Sequence, residues 1–205
     1  FRRWVVSDKK ILELEKATKQ TELQQLKKQI NPHFLFNMLN NANILVKDAP
    51  DEASQILEKL DNLLRYQLND STRREVFLTA DIQFLTSFLE LEKVRRDHFE
   101  YTIFQEGNME NICIPPLLFI PFVENAVKHN LDSDNLSYVH LYFSVHNKQL
   151  TFRCENSKPR VPVKREGGIG LANVKRRLDL LYESRYTLQI EDKETTYNVN
   201  LHLNL

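Results

Sequence analysis

Glycine is scarce in this sequence: there are four in 205 residues, and three of them, Gly167, Gly168 and Gly170, fall within one tetrapeptide. That excludes collagen-like and low-complexity architectures, and it makes the single cluster conspicuous. Cysteine is scarcer still. Cys113 and Cys154 sit in separate apolar runs without a CxxC partner, which excludes a disulfide framework and a thiolate zinc centre. Both are expected as buried free thiols of a reducing compartment. Neither charge sign is in excess, since 28 Lys and Arg balance 28 Asp and Glu. No global field therefore recruits nucleic acid, which is not expected as a partner. No stretch reaches the roughly 18 apolar residues that cross a bilayer. The opening Phe1-Arg2-Arg3-Trp4-Val5-Val6 nevertheless has the composition of the cytoplasmic flank of a membrane helix. The expectation is a membrane segment upstream of residue 1 and a cytoplasmic position for the chain itself.

What is present reads as helices first and a strand-rich half second. A hydrophobic content of 41% suffices for an ordinary core. From Lys9 to Ile30 the chain is rich in Glu, Lys and Gln, with apolar residues at Ile11, Leu14, Leu23, Leu26 and Ile30. Those spacings predict an amphipathic helix with a narrow, coiled-coil-like seam. A proline cannot continue such a helix, so it should kink or restart at Pro32, with Asn31 as the cap and Pro32 as the first helical residue. Helices are predicted from Pro32 to about Val46 and from Glu52 to about Leu68, joined by the turn residues Lys47 to Asp51. A hairpin with one apolar face buries it best against its own copy, giving a homodimeric four-helix bundle.

The second half alternates differently. Val76-Phe77-Leu78 is a strand candidate, and Thr79 would cap a helix from Ala80 to about Arg96. Strands are predicted at Tyr101 to Gln105, Ile112 to Ile114, Tyr138 to His146, Leu150 to Glu155, Tyr186 to Ile190 and Tyr197 to Leu203, with Asn147-Lys148-Gln149 as a hairpin turn. Helices are predicted from Leu117 to His129 and from Gly170 to Tyr182. The fold class is α+β, in three parts: a linker helix over residues 1–22, a helical module over residues 23–73, and a sheet-bearing module over residues 74–205. The segment from Asp70 to Arg74 is the expected hinge.

Three clusters carry chemistry. His33 falls near a helix start, where the positive end of the helix dipole disfavours imidazolium and stabilises an anion placed on the ring. That suits a neutral, nucleophilic imidazole able to become a phosphoramidate. Asn37 lies four residues on, on the same face. In the run Pro121 to His129, the side chains of Glu124, Asn125, Lys128 and His129 form one polar stripe on an otherwise apolar helix. An amide oxygen there can ligate Mg²⁺, a lysine can meet phosphate, and a carboxylate can orient water or a second amide. Gly167-Gly168-Ile169-Gly170 opens a helix where backbone N–H groups can approach a phosphate. Lys175-Arg176-Arg177, beside an alternating apolar face, is expected as solvated helix surface. His98, His140, His146 and His202 are scattered and make no zinc site.

The run Gln29 to Asn40 around Asn31-Pro32-His33-Phe34, the run Pro121 to His129, and Gly168-Ile169-Gly170-Leu171-Ala172-Asn173 through Leu178 together resemble the LytS/YehU-type sensor histidine kinases. The resemblance spans the chain from about Leu23 onward. It implies a dimerising phosphoacceptor domain followed by an ATP-binding domain of the Bergerat (GHKL) fold, a mixed sheet covered on one side by helices. By that likeness His33 is the phosphorylated residue, Asn125 in the N-box is the Mg²⁺ ligand, and Lys128 and His129 line the triphosphate of ATP. Glu124 would polarise the attacking imidazole. Gly168 and Gly170 form the G2 box with Asn173 close behind, and the loop between Ser157 and Gly167, with Lys164 and Arg165, is the ATP lid. Asn37 stands where other kinases hold a residue that positions water for dephosphorylation. The implied partner is a response regulator receiver domain, often joined to a LytTR DNA-binding domain.

The sequence departs from the pattern at the adenine-reading Asp-x-Gly-x-Gly box. There it reads Cys154-Glu155-Asn156-Ser157-Lys158, and either Glu155 or Asn156 could take the adenine amino group. This departure motivates an alternative, a catalytically degenerate dimeric signalling scaffold. A GHKL ATPase that uses water as acceptor is disfavoured, because Pro121 stands one turn before Asn125 where such enzymes place their catalytic carboxylate.

Overall fold

A computed structural model describes residues 32–130, 135–159 and 169–205. The expected linker helix, the Asn31 cap, Gly167, Gly168 and the lid residues Lys164 and Arg165 lie outside the described residues. Helix α1 (Pro32–Leu45) and helix α2 (Pro50–Asn69) form the hairpin. The second starts two residues before the predicted Glu52, because Pro50 occupies the first turn, where its missing N–H costs nothing. Along α2, Ala53, Ile56, Leu60, Leu63 and Tyr66 are buried at spacings of three and four, the period of a helical apolar stripe; of the residues expected on that side, Ile56, Leu57, Leu60, Leu63 and Leu64, Leu57 turns outward and is exposed.

A 3-10 turn (Asp70–Thr72) leads from the hairpin into strand β1 (Val76–Phe77) and helix α3 (Leu78–Arg95). The predicted Thr79 cap is not used: Phe77 is the capping residue, and no side chain among the described residues caps this helix. The buried Leu78 N–H donates instead to the Ile112 carbonyl at 2.8 Å, so a tertiary contact satisfies the first orphan donor. Strand β2 (Phe99–Gly107) follows, then β3 (Cys113–Ile114), helix α4 (Ile120–His129), the hairpin of β4 (Ser137–His146) and β5 (Gln149–Ser157), helix α5 (Ile169–Tyr182), and strands β6 (Tyr186–Asp192) and β7 (Thr196–Asn204).

Five strands make a mixed sheet in the order β2-β4-β5-β7-β6. Among the described residues only the β2–β4 pair is parallel, because α4 lies in the crossover between them. The tight β4–β5 turn is set by Asn147 and Lys148, both at positive φ, as the strand-matching hairpin turn requires. Alternation decides the two faces. Val139, Leu141, Phe143, Leu150, Phe152, Cys154, Val199, Leu201 and Leu203 point to the helix-covered side and are buried, whereas Phe104 and Arg153 face solvent on the other. Phe119, Phe143 and Phe152 form an aromatic centre, with ring centroids 4.5 to 5.2 Å apart.

Two expectations need correction. Cys113 is exposed, not buried; the two-residue strand β3 alternates, and Ile114 takes the inward position. Cys154 is buried, and burial pushes its thiol up to about 12, which makes it inert. Helix α4 begins at Ile120, three residues later than predicted, because Leu117 adopts a left-handed φ of 56° that no α-helix accommodates.

Hairpin and sheet share one continuous apolar core, running from Met38 and Ile56 through Leu85 and Phe88 to Phe152 and Leu203. On the outward side of the hairpin a second apolar stripe is uncovered: Phe36, Leu39 and Ile44 on α1, and Leu57 and Leu68 on α2, are all exposed. No helix among the described residues is long and apolar enough to cross a membrane.

Candidate functional site

Helix α4 sorts its side chains by period. Phe122, Val123, Ala126, Val127 and Asn130 are buried, while Glu124, Asn125 and His129 are half-buried and Lys128 is exposed. The four polar residues singled out from the sequence therefore do share one stripe. Both ends of the helix are fixed. At its C-terminal end the fully buried Asn130 accepts a hydrogen bond from Arg96 at 3.0 Å and donates to the Tyr138 carbonyl at 3.0 Å. Arg96 also reaches the Ser137 hydroxyl at 2.7 Å, so the last turn, with Lys128 and His129, is tied to the start of β4.

The N-terminal end is held by a cluster that the sequence did not announce. Asp81 of α3, fully buried, accepts the Leu117 N–H at 3.0 Å and the Tyr66 hydroxyl at 2.5 Å on the same oxygen. Arg177 of α5 donates to the Leu117 carbonyl at 2.6 Å and to the Pro116 carbonyl. Expected as solvated surface, Arg177 is instead buried, and only Lys175 and Arg176 remain exposed. Its helix turns it onto the inner face beside Val174 and Leu178, where two loop carbonyls need donors. Burial pushes the Asp81 carboxyl up from its ordinary value, opposed by the Tyr66 hydroxyl, the Leu117 N–H and the Arg177 charge. Burial likewise lowers Arg177, opposed mainly by Asp81.

Glu124 faces the hairpin. It lines a cavity of about 20 Å³ with Phe34, Leu35, Leu63, Gln67, Phe84, Phe88 and Ile120, and a space of that size admits a single water. Burial pushes its carboxyl up to about 7. The Gln67 amide oxygen, on the same wall, is buried without a partner among the described residues. Phe34 and Leu35 come directly after His33 on α1, and the Phe34 ring packs tilted against Phe88, with centroids 5.0 Å apart. The His33 backbone is thus in the first turn of α1, as the sequence predicted; its side chain is outside the described residues. Asn37 lies one turn on and is half-buried.

The two candidates for reading adenine separate. Register pairs Glu155 with His140 and Asn198 on the solvent side of the sheet, where its carboxylate accepts the Tyr138 hydroxyl at 3.5 Å. Asn156 alternates to the helix-covered side, is 1% exposed, and donates its amide to the Ser157 carbonyl at 2.8 Å. That face is the one on which α4 and α5 pack. Asn173 is half-buried on α5, Gly170 lies in the first turn of the same helix, and Gly168 is outside the described residues. The fit to a Mg-nucleotide is therefore good on the described side: an amide-bearing polar stripe on α4, a buried amide on β5, and the start of α5.

Residues 21–99 match the family model described as "Histidine kinase". The chain is 30% identical over 203 residues to the sensor protein LytS of Staphylococcus haemolyticus, an alignment covering 92% of this chain and 35% of that protein. It is 31% identical over 119 residues to the sensor histidine kinase YpdA of Escherichia coli, covering 58% of this chain and 21% of that one. With the sensor histidine kinase/phosphatase LytS of Staphylococcus aureus it shares 32% over 115 residues, 56% of this chain and 20% of the other. The chain thus spans about a third or less of the length of these relatives. Among solved structures, the histidine kinase domain of a blue-light-activated kinase from Erythrobacter litoralis superposes with a TM-score of 0.50 at 17% identity, covering 92% of this chain and 93% of that one. That likeness concerns the fold.

Proposed function

Because the chain belongs to the histidine kinase family, with relatives of the LytS type, we propose that it transfers the γ-phosphoryl group of ATP to its own His33. From there the group passes to an aspartate on the receiver domain of a response regulator, of the LytTR-linked class by family likeness. The observation that carries this reading is the shared cavity. Glu124 of the polar stripe and the two residues after His33 line the same 20 Å³ space, which supports a transfer between α4 and the start of α1.

In the proposed step a ring nitrogen of His33 attacks the γ-phosphorus, the bond to the bridging oxygen breaks and ADP leaves, while the imidazole proton goes to the Glu124 carboxylate. Asn125 would hold Mg²⁺, which supplies neutralisation of charge on the phosphate oxygens when bound. Lys128 and His129 would meet the triphosphate, and the start of α5, with Gly168, Gly170 and Asn173, would close around it. The buried Asn156, rather than the outward Glu155, is the residue assigned to the adenine edge. Incubation with γ-labelled ATP and Mg²⁺ tests the reading. Acid-labile, alkali-stable label on the protein is the expected result; free phosphate without protein label would instead mark an ATPase, and no turnover would mark a scaffold.

A second activity has its own support. One relative is named a kinase/phosphatase, and Asn37 stands one turn from His33, where an amide can position water against a phosphorylated receiver.

The uncovered stripe of Phe36, Leu39, Ile44, Leu57 and Leu68 is proposed as the seam of a homodimeric four-helix bundle. Sedimentation equilibrium is expected to give twice the chain mass. Leu57→Glu with Leu68→Glu should shift the protein to monomer, with at least a tenfold weaker association, and an unchanged dimer constant would refute the seam. The whole protein is proposed to be a membrane-anchored sensor whose cytoplasmic part includes this chain.

A further inference from the structure

The 3-10 turn separates Tyr66 from Asp81 along the chain, yet their side chains meet. Tyr66, in the last turn of α2, donates its hydroxyl to Asp81 Oδ1 at 2.5 Å. Its ring stacks on Phe84 at 4.7 Å, which fixes where the hydroxyl points. The same Asp81 oxygen accepts the N–H of Leu117 at 3.0 Å. Leu117 is held at a φ of 56° three residues before the polar-stripe helix, a conformation that persists only where surroundings over-determine it. Its carbonyl is taken by Arg177 from α5 at 2.6 Å. One carboxylate thus joins the hairpin to the start of α4, and through Leu117 to α5, the helix that opens at the glycine cluster.

Stability does not explain this arrangement well. Asp81 Oδ2 and Arg177 Nε are buried without a hydrogen-bond partner among the described residues, and well-packed apolar residues commonly serve a core at least as well as buried charges. What the cluster does provide is a fixed registration between the hairpin and the helices α4 and α5. We propose that the Tyr66–Asp81 hydrogen bond is a clasp that positions the polar-stripe helix against the acceptor hairpin for phosphoryl transfer, with Tyr66, Asp81 and Arg177 as positioning residues. Rotation or sliding of α2 displaces the Tyr66 hydroxyl first. Asp81 passes that displacement to Leu117 and Arg177, and so to the two helices that flank the nucleotide. The proposal rests on the reading of His33 as acceptor, and its test separates the two.

Tyr66→Phe keeps the ring and its stack on Phe84 and removes only the clasp. In the full chain, the initial rate of self-phosphorylation is measured across ATP concentrations at fixed Mg²⁺, alongside tryptic cleavage after Arg73 and Arg74 in the exposed link. The expected result is a fall in kcat of at least fivefold, KM for ATP within twofold of wild type, and cleavage at least fivefold faster. Asp81→Leu should reproduce these losses, and Asp81→Asn, whose amide oxygen can accept both bonds, should recover most of them. A kcat and a cleavage rate like those of wild type overturn the clasp; so does a fall in kcat matched by a rise in KM, which marks general damage. If wild type carries no label, the transfer reading fails, and the cleavage rates alone then decide whether the clasp holds the two halves together.

Discussion

His33→Gln is expected to abolish acid-labile phosphate incorporation, at least a thousandfold below wild type, while the affinity for ATP in the presence of Mg²⁺ changes less than twofold. Glutamine matches the reach of imidazole but offers no nucleophilic nitrogen, so the covalent step has no acceptor. The proposed nucleotide side draws on α4, β5 and α5, none of which contains His33. Filter-bound label after alkali and after acid, with calorimetric titration of a non-hydrolysable ATP analogue, reads both halves. Retention of acid-labile label in the variant would refute the assignment of the acceptor, and loss of nucleotide affinity would show that the ring serves binding as well.

Glu124→Gln carries the second large effect. A positioned base typically contributes about 10² to 10⁴ in rate, so kcat for self-phosphorylation should fall about a hundredfold, with KM for ATP little changed. The pH dependence gives a sharper reading. Burial raises the Glu124 carboxyl from an ordinary 4.5 to about 7, and the proton-accepting form is the charged one. Wild-type kcat should therefore rise through about pH 7, whereas the glutamine variant should lack that rise.

Stability moves the opposite way. A carboxyl raised on folding contributes stability that is complete below its ordinary value and is lost as pH climbs through the raised one. The wild-type fold should therefore lose up to about 3 kcal/mol between acid and pH 8 from this group, and Glu124→Gln should lose none of it. Urea midpoints at pH 5 and pH 8 check this; parallel shifts in both proteins would mean that Glu124 is not the group responsible.

How far the sequence carries can be traced residue by residue. The start of α1 at Pro32 comes from the geometry of proline, and the β4–β5 turn from Asn147 and Lys148, because each is decided within a few residues. The polar stripe of α4 was legible because a 3.6-residue period puts Glu124, Asn125, Lys128 and His129 together whatever lies beyond the helix. Arg177 was not legible. Its burial depends on two carbonyls some sixty residues earlier that a left-handed Leu117 turns inward. Thr79 has the chemistry of a cap but was pre-empted by a tertiary donor–acceptor pair, and Cys113 looked buried because its run is apolar although only Ile114 of that pair faces in. Glu155 and Asn156 could be told apart only by strand register, which the sequence leaves open by one residue, and one residue exchanges the faces.

Six residues separate the end of α2 at Asn69 from the start of β1 at Val76. Even drawn out fully they reach only about 20 Å, a short leash. In the proposed transfer it would keep donor and acceptor within that span, and their local concentration high whatever the concentration of the protein. Lengthening the leash would dilute that encounter without altering either reacting group.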